Sequence, residues 1–322
     1  MKNIILFLFI AILCVSCKRE SQIEKEISEI EMSVAIERFD LAFAHAKPTE
    51  LPKLKAAFPF MFSKKYEDAF WIEKMKDTLQ LELNKEVELA YPNLNVVEGE
   101  VESLFQHLKY YFPEFKTPRL VAATSFVDYR NKIIVTDTIT LISIDTYLGS
   151  DHYFYDGIQK YLRANFTSQQ IVVDMASEYA KGYIFPKQNK TLLDEMIFFG
   201  KQLYFKDVMI PFKTDAAKIG YTQDQIDWSI ANEAQIWSYL VEKELLFSTD
   251  SKLPNRFINP APFSKFYLEE IDQESPGRIG QYIGWQIVRA YMKNNDASLK
   301  EMLTTNAENI FNESKFKPIY ND

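Results

Sequence analysis

Cysteine is almost missing from this 322-residue chain; there are two, Cys14 and Cys17. Both fall within the first 17 residues, so no disulfide can staple the body, and thiol catalysis and thiolate metal sites are excluded there too. Histidine is nearly as scarce. The three present are His45, His107 and His152, and no two stand four residues apart, so the zinc-binding helix signature HExxH is absent. Nine glycines and thirteen prolines argue against repeated short strands and turns and against a long disordered linker, and the chain has no internal repeat. Positive charge is the minority sign, 37 Lys and Arg against 45 Asp and Glu for a net charge of −8, which does not favour nucleic acid or anionic headgroups as partners. Beyond Val15 no apolar run approaches the roughly 18 to 20 residues that a membrane-spanning helix needs.

What is present begins at the amino terminus, MKNIILFLFIAILCVSC. Lys2 supplies a basic start, Ile4 to Val15 is an apolar run of 12 residues, and Ser16 is the small residue before a cleavage point. The pattern predicts a signal peptide over residues 1–16. The Val-Ser-Cys ending resembles a bacterial lipobox, with Cys17 as the lipid attachment site, although Cys14 stands where a branched aliphatic residue is usual and Leu13 lies one step further out. Acyl chains bury about 0.8 kcal/mol per CH₂, so such a chain is tethered to a membrane surface. Residues 17–31, rich in Glu and Lys, are expected to form a polar tether, and residues 32–322 one folded domain. Aromatic residues make up 15% of the chain and are spread along it, which favours one large domain over two smaller ones.

The alternation in MSVAIERFD predicts a first strand. Helical spacing follows over Pro48 to Ala57, Lys65 to Leu89 and Val101 to Tyr111. The β-branched residues from 120 to 148 predict two or three strands, with Tyr129 to Lys132 as a turn. Thereafter the chain reads as helix. A capping box at Thr167 to Gln170 should open a helix to Tyr183, and a second should start near Thr191, with Asp194 and Glu195 favoured at the positive end of its dipole. A single long helix is expected over Thr222 to Phe247, and another from Gly280 to Lys293. Gly284 inside that last helix costs about 0.8 to 1 kcal/mol against alanine and predicts close backbone packing. The fold class is therefore α+β, mostly helical, with a small β-sheet.

The lipobox, the ERFD strand, the strand pair before residue 148, the helices at Ser168 and Thr191, and SPGRIGQYIGWQIVRAYM together resemble the gliding-motility lipoprotein B family of Bacteroidetes across essentially the whole chain. That family is similar in turn to predicted zinc peptidases of the zincin type, so the resemblance implies a degenerate zincin-like single domain. Placing the lost motif on IVVDMASEYAKGY sets Asp174 and Glu178 at the two histidine positions, Met175 at the catalytic glutamate, and Phe199 at the third ligand. A methionine cannot act as a general base, and two carboxylates fall short of the six to eight oxygens of a calcium site. The resemblance thus implies no catalytic residue and no cofactor, with Asp174 and Glu178 as remnants of a metal site. Read without the resemblance, the same pair belongs to an ordinary solvated face on which Lys181 meets Glu178.

A tethered protein without catalytic groups works by binding, and aromatic residues dominate binding hot spots. Most aromatics, including Phe198, Phe199, Tyr204, Phe205, Trp237 and Tyr239, are expected in the core, and His152 in a surface loop. The stretch PNRFINPAPFSKFY, residues 254 to 267, reads as neither helix nor strand and offers Phe257 and Phe263 as partner contacts. The resemblance implies a non-enzymatic, lipid-anchored part of the gliding apparatus and its coupled secretion system. Its partners would be proteins of that machinery, with no nucleic acid and no small-molecule substrate. Lys18 and Arg19 after Cys17 favour an anchor in the outer membrane facing the periplasm over surface display. The alternatives are a metal-dependent peptidase with carboxylate ligands and a lipoprotein that binds peptidoglycan or another glycan.

Overall fold

The computed structural model describes residues 22–186 and 190–318, so the signal segment and Cys17 lie outside the described residues. A four-stranded sheet is built from β1 (Ile36–Arg38), β2 (Arg119–Ala123), β3 (Ile133–Val135) and β4 (Ile139–Ser143), in the order β1-β2-β4-β3. β1 and β4 run parallel to β2, and β3 returns antiparallel to β4 with Ile134 opposite Leu141. The period of two along β2 divides the molecule. Leu120 and Ala122 join the main helical core, whereas Val121 and Ala123 face a smaller aromatic layer holding Phe39, Phe43, Phe58 and Phe62.

The main core is closed by helices. The longest among the described residues are α1 (Thr78–Ala90), α2 (Asn95–Tyr111), α3 (Ile171–Tyr183), α4 (Leu192–Met209), α5 (Gln223–Ala231), α6 (Glu233–Glu242) and α7 (Ile279–Asn294). α4 and α7 make the closest approach. A Cβ on Gly284 would stand 1.9 Å from the Met196 carbonyl oxygen, and one on Gly200 would stand 2.3 Å from the Gly284 carbonyl oxygen. The two glycines let the backbones touch, as the helical glycine in the sequence predicts, and the contact seats α7 with Trp285 fully buried.

Three local expectations change. The helix foreseen over Lys65 to Leu89 is two, Asp68–Lys74 and α1, because Asp77 leaves the helix and accepts a hydrogen bond from the Gln80 amide at 2.9 Å. The long helix foreseen over Thr222 to Phe247 breaks into α5 and α6 at Asn232, whose side-chain amide donates back to the Trp228 carbonyl at 2.8 Å. No capping box forms at Thr167. Residues Ser168–Gln170 make a 3₁₀ turn, Thr167 pairs with Leu148 as a β-bridge, and the Gln170 side chain turns away to the Ala217 carbonyl. Capping boxes do form at Thr191 with Asp194 and at Thr222 with Gln225.

Within the segment expected as a tether, residues 22–28 are helical and dock on the body. Ile27 is buried, Glu24 reaches His107 at 3.4 Å, and the Gln106 side chain donates to the Ile30 carbonyl. Among the described residues no helix is long and apolar enough to cross a membrane.

Candidate functional site

A cleft of about 490 Å³ opens between α3, α4 and the segment entering α7. α3 offers Asp174 and Glu178 to it because the other face of that helix, Val172, Met175, Ala176 and Tyr179, is claimed by the core. α4 adds Phe199, Gln202 and Lys206, the start of β3 adds Lys132, and the turn before α7 adds Arg278. The stretch 258–262 forms one wall. A second hollow of about 550 Å³ lies between Glu114 and Tyr183, but its Lys181 is already engaged by Glu178, so the chemistry concentrates in the first.

Asp174 is held from two sides. Its carboxylate pairs with the Lys132 ammonium and accepts a hydrogen bond from the Tyr147 hydroxyl at 2.9 Å. Burial pushes the Tyr147 phenol well above its ordinary value, and the neighbouring Asp174 charge adds to the shift, so Tyr147 stays a hydrogen-bond donor. The Lys132 ammonium also lies over the rings of Tyr147 and Phe166, at 5.4 and 5.5 Å.

Two further cations share the cleft without a carboxylate of their own among the described residues. Lys206 is 7% exposed and donates to one acceptor, the Lys218 carbonyl at 2.7 Å. Burial pulls its ammonium down to about 8; the Arg278 and Lys132 charges pull the same way, and Asp174 opposes them. Arg278 has a left-handed backbone, φ 65°, just ahead of α7. Its guanidinium donates to the Gly220 carbonyl at 3.0 Å and lies 5.4 Å from the Tyr221 ring centre. Burial lowers its affinity for the proton, against the pull of Tyr221 and Asp174. Beside them is an unmet donor. Gln202 is 6% exposed, lines the cleft, and its side-chain nitrogen has no hydrogen-bond partner.

The positions singled out in the sequence divide sharply. Asp174 and Glu178 meet in one cleft with Phe199, and Glu178 pairs with Lys181 at 2.5 Å as its spacing predicts. Asp174 is not part of a solvated stripe, because it faces cations from three other segments. Met175 is buried in the core and does not face the cleft. None of the histidines lines it. His45 is exposed near Glu88, His107 is buried with a ring nitrogen 2.7 Å from the Ser103 carbonyl, and His152 is half-buried against Glu86 and stacked on Phe154. His152 is thus packed, not a free surface histidine. Among the described residues no group of three His, Cys, Asp or Glu side chains is placed to hold a metal ion.

The partner-contact expectation for Phe257 is corrected. Residues Leu253–Phe257 are helical and Phe257 is fully buried against Phe266, so it serves the core, while Phe263 is half-buried. The 254–267 stretch instead lends Asn259, Pro260, Ala261 and Pro262 to the cleft wall. The residues that sequence reasoning missed are Lys132, Gln202, Lys206 and Arg278. Lys206 carried a signal, being a charged residue on the core-facing side of the apolar run LYFKDVM.

No curated protein and no solved structure matches the chain. A family model described as gliding motility protein GldB matches residues 20–318, nearly the full length. The chain therefore belongs to the GldB family of gliding motility lipoproteins, which are lipid-anchored proteins of the cell envelope.

Proposed function

We propose that this protein serves the gliding machinery and its coupled secretion system by binding another protein in the α3/α4 cleft, without catalysis. The observation that carries the reading is the commitment of Asp174. Its carboxylate is held by the Lys132 ammonium and the Tyr147 hydroxyl, and Met175 beside it is buried in the core. The Asp174 Oδ2 oxygen takes both contacts and is thereby withheld from a metal ion and from a substrate proton. On this reading the body is a zincin-like scaffold whose metal positions have been taken over by an ion pair. The anchor is the lipid on Cys17, and Lys18 and Arg19 favour an outer-membrane site facing the periplasm; protease shaving of intact cells that removed the protein would contradict that placement.

The test is rescue of gliding in cells lacking the protein by an Asp174→Asn, Glu178→Gln double variant at matched abundance. The substitutions keep side-chain size while removing both carboxylates that could hold a metal or move a proton. Retained gliding is expected. Lost gliding with a normally folded protein, together with stoichiometric metal in the purified wild type that the double variant lacks, would reject the non-enzymatic reading.

A further inference from the structure

We infer that the cleft beside Asp174 is built to receive a carboxylate of a bound peptide segment, with Arg278 and Lys206 holding the carboxylate and Gln202 donating to a peptide carbonyl. The inference rests on the binding role proposed above and names the chemistry of the partner.

Three observations converge. The first is charge. Among the described residues, Lys132, Lys206 and Arg278 face the cleft against a single carboxylate, Asp174, since Glu178 is paired with Lys181 and Lys218 with Asp207. Buried cations without counter-charge are costly to keep, and among the described residues Lys206 has one backbone carbonyl as its only hydrogen-bond acceptor. An arriving anion supplies what is missing. The second is the Gln202 amide nitrogen, buried at the cleft with no acceptor. An amide donor beside an anion pocket matches a peptide, which carries a carbonyl next to its carboxylate. The third is shape. About 490 Å³ is far more than a bare inorganic anion fills, and the walls include Phe199, Leu203, Pro260 and Pro262, which suit the apolar parts of a short segment. A free phosphate would use the cations and leave both the amide and the walls idle.

The experiment uses the full-length lipoprotein in detergent and three probes: N-acetyl-trialanine with a free carboxylate, the same peptide as its carboxamide, and inorganic phosphate. Ligand-observed NMR reads the affinities. The free acid is expected to saturate with a dissociation constant of about millimolar order and to bind at least about tenfold more tightly than the amide, which reports the charged contact. Arg278→Gln should remove about tenfold or more of that affinity.

Because Arg278 also holds the Gly220 carbonyl, that variant can lose its fold, and Gln202→Glu is the second arm. Glu at 202 stands one helical turn before Lys206 on α4, so it supplies the missing carboxylate from within the chain. It should leave the melting temperature unchanged or raised while abolishing binding of the free acid. Equal binding of acid and amide, no saturation by the acid, undiminished binding by folded Gln202→Glu, or tighter binding of phosphate than of the acid would each overturn the inference. The titration reads binding and the double-carboxylate rescue reads gliding, so either proposal can fail without the other.

Discussion

Two charge clusters grow from neighbouring residues of α4, Lys206 and Asp207, and they are built to opposite plans. Around Asp207 the charges balance. Its carboxylate accepts from Arg289 at 2.7 and 2.8 Å, from Lys218 at 2.9 Å and from the Trp285 indole at 2.8 Å, while Asp215 takes the remaining face of the Arg289 guanidinium at 2.8 and 2.9 Å. Two carboxylates meet two cations, and the set ties α4 to α7. Around Lys206, among the described residues, three cations meet one carboxylate, and a buried amide has no acceptor. Unfilled polar capacity on a rigid support is what separates a place where something binds from one that only holds the fold together.

A second buried cation on α4 shows that this imbalance is not forced by the fold. Lys201 is 3% exposed, yet it donates to the carbonyls of Phe185, Leu303 and Thr305 and so caps the end of the helix Leu299–Thr304. Lys206, five residues later on the same helix, has one such acceptor.

The balanced cluster should be the more sensitive to loss of a partner. Arg289→Met leaves Asp207 and Asp215 without their principal partner and should cost about 3 to 5 kcal/mol in denaturant unfolding. Lys206→Met removes a charge that has no ion-pair partner among the described residues. Its cost should be at most about 1 kcal/mol, or the variant should be more stable, and a loss as large as that of Arg289→Met would erase the distinction.

The buried lysines also make stability depend on pH. Lys206 and Lys201 both titrate near 8 in the folded protein against an ordinary 10.5, so between about pH 8 and pH 10 the unfolded chain binds more protons than the native one. Stability should therefore rise with pH across that window, and the rise should be visibly smaller in Lys206→Met, as followed by urea melts at several pH values. Asp174→Asn, which deprives Lys132 of its partner at the half-buried edge of the cleft, should cost about 1 to 2 kcal/mol. Lys181→Ala, which removes an exposed partner of Glu178, should stay within about 0.5 kcal/mol.

Much of the architecture was legible because it depends on local periodicity. The β-branched run from 120 to 148 gave three strands, Thr191 with Asp194 marked the start of α4, and Gly284 announced the contact with α4 that a side chain would have blocked. Breaks made by a single side chain were harder to see. Asp77 opens a new helix and Asn232 closes one, each through its own hydrogen bond, in stretches where the apolar spacing continues with neither glycine nor proline to mark the break.

The site was half legible. Asp174, Glu178 and Lys181 share one helix, so spacing places them on one face. The charges that give Asp174 its character come from Lys132, Lys206 and Arg278, which the chain joins only by folding, and no local pattern connects them. Phe257 failed as a contact for a related reason. An aromatic residue between prolines reads as an exposed loop until the ring of Phe266 is found packed against it.

The most direct test of the account is gliding by cells whose only copy carries Gln202→Glu, scored beside wild type at matched abundance and melting temperature. With the cleft cations neutralised from within, gliding should be lost while the protein remains folded and anchored. Gliding at the wild-type rate would contradict the claim that this cleft is where the protein works.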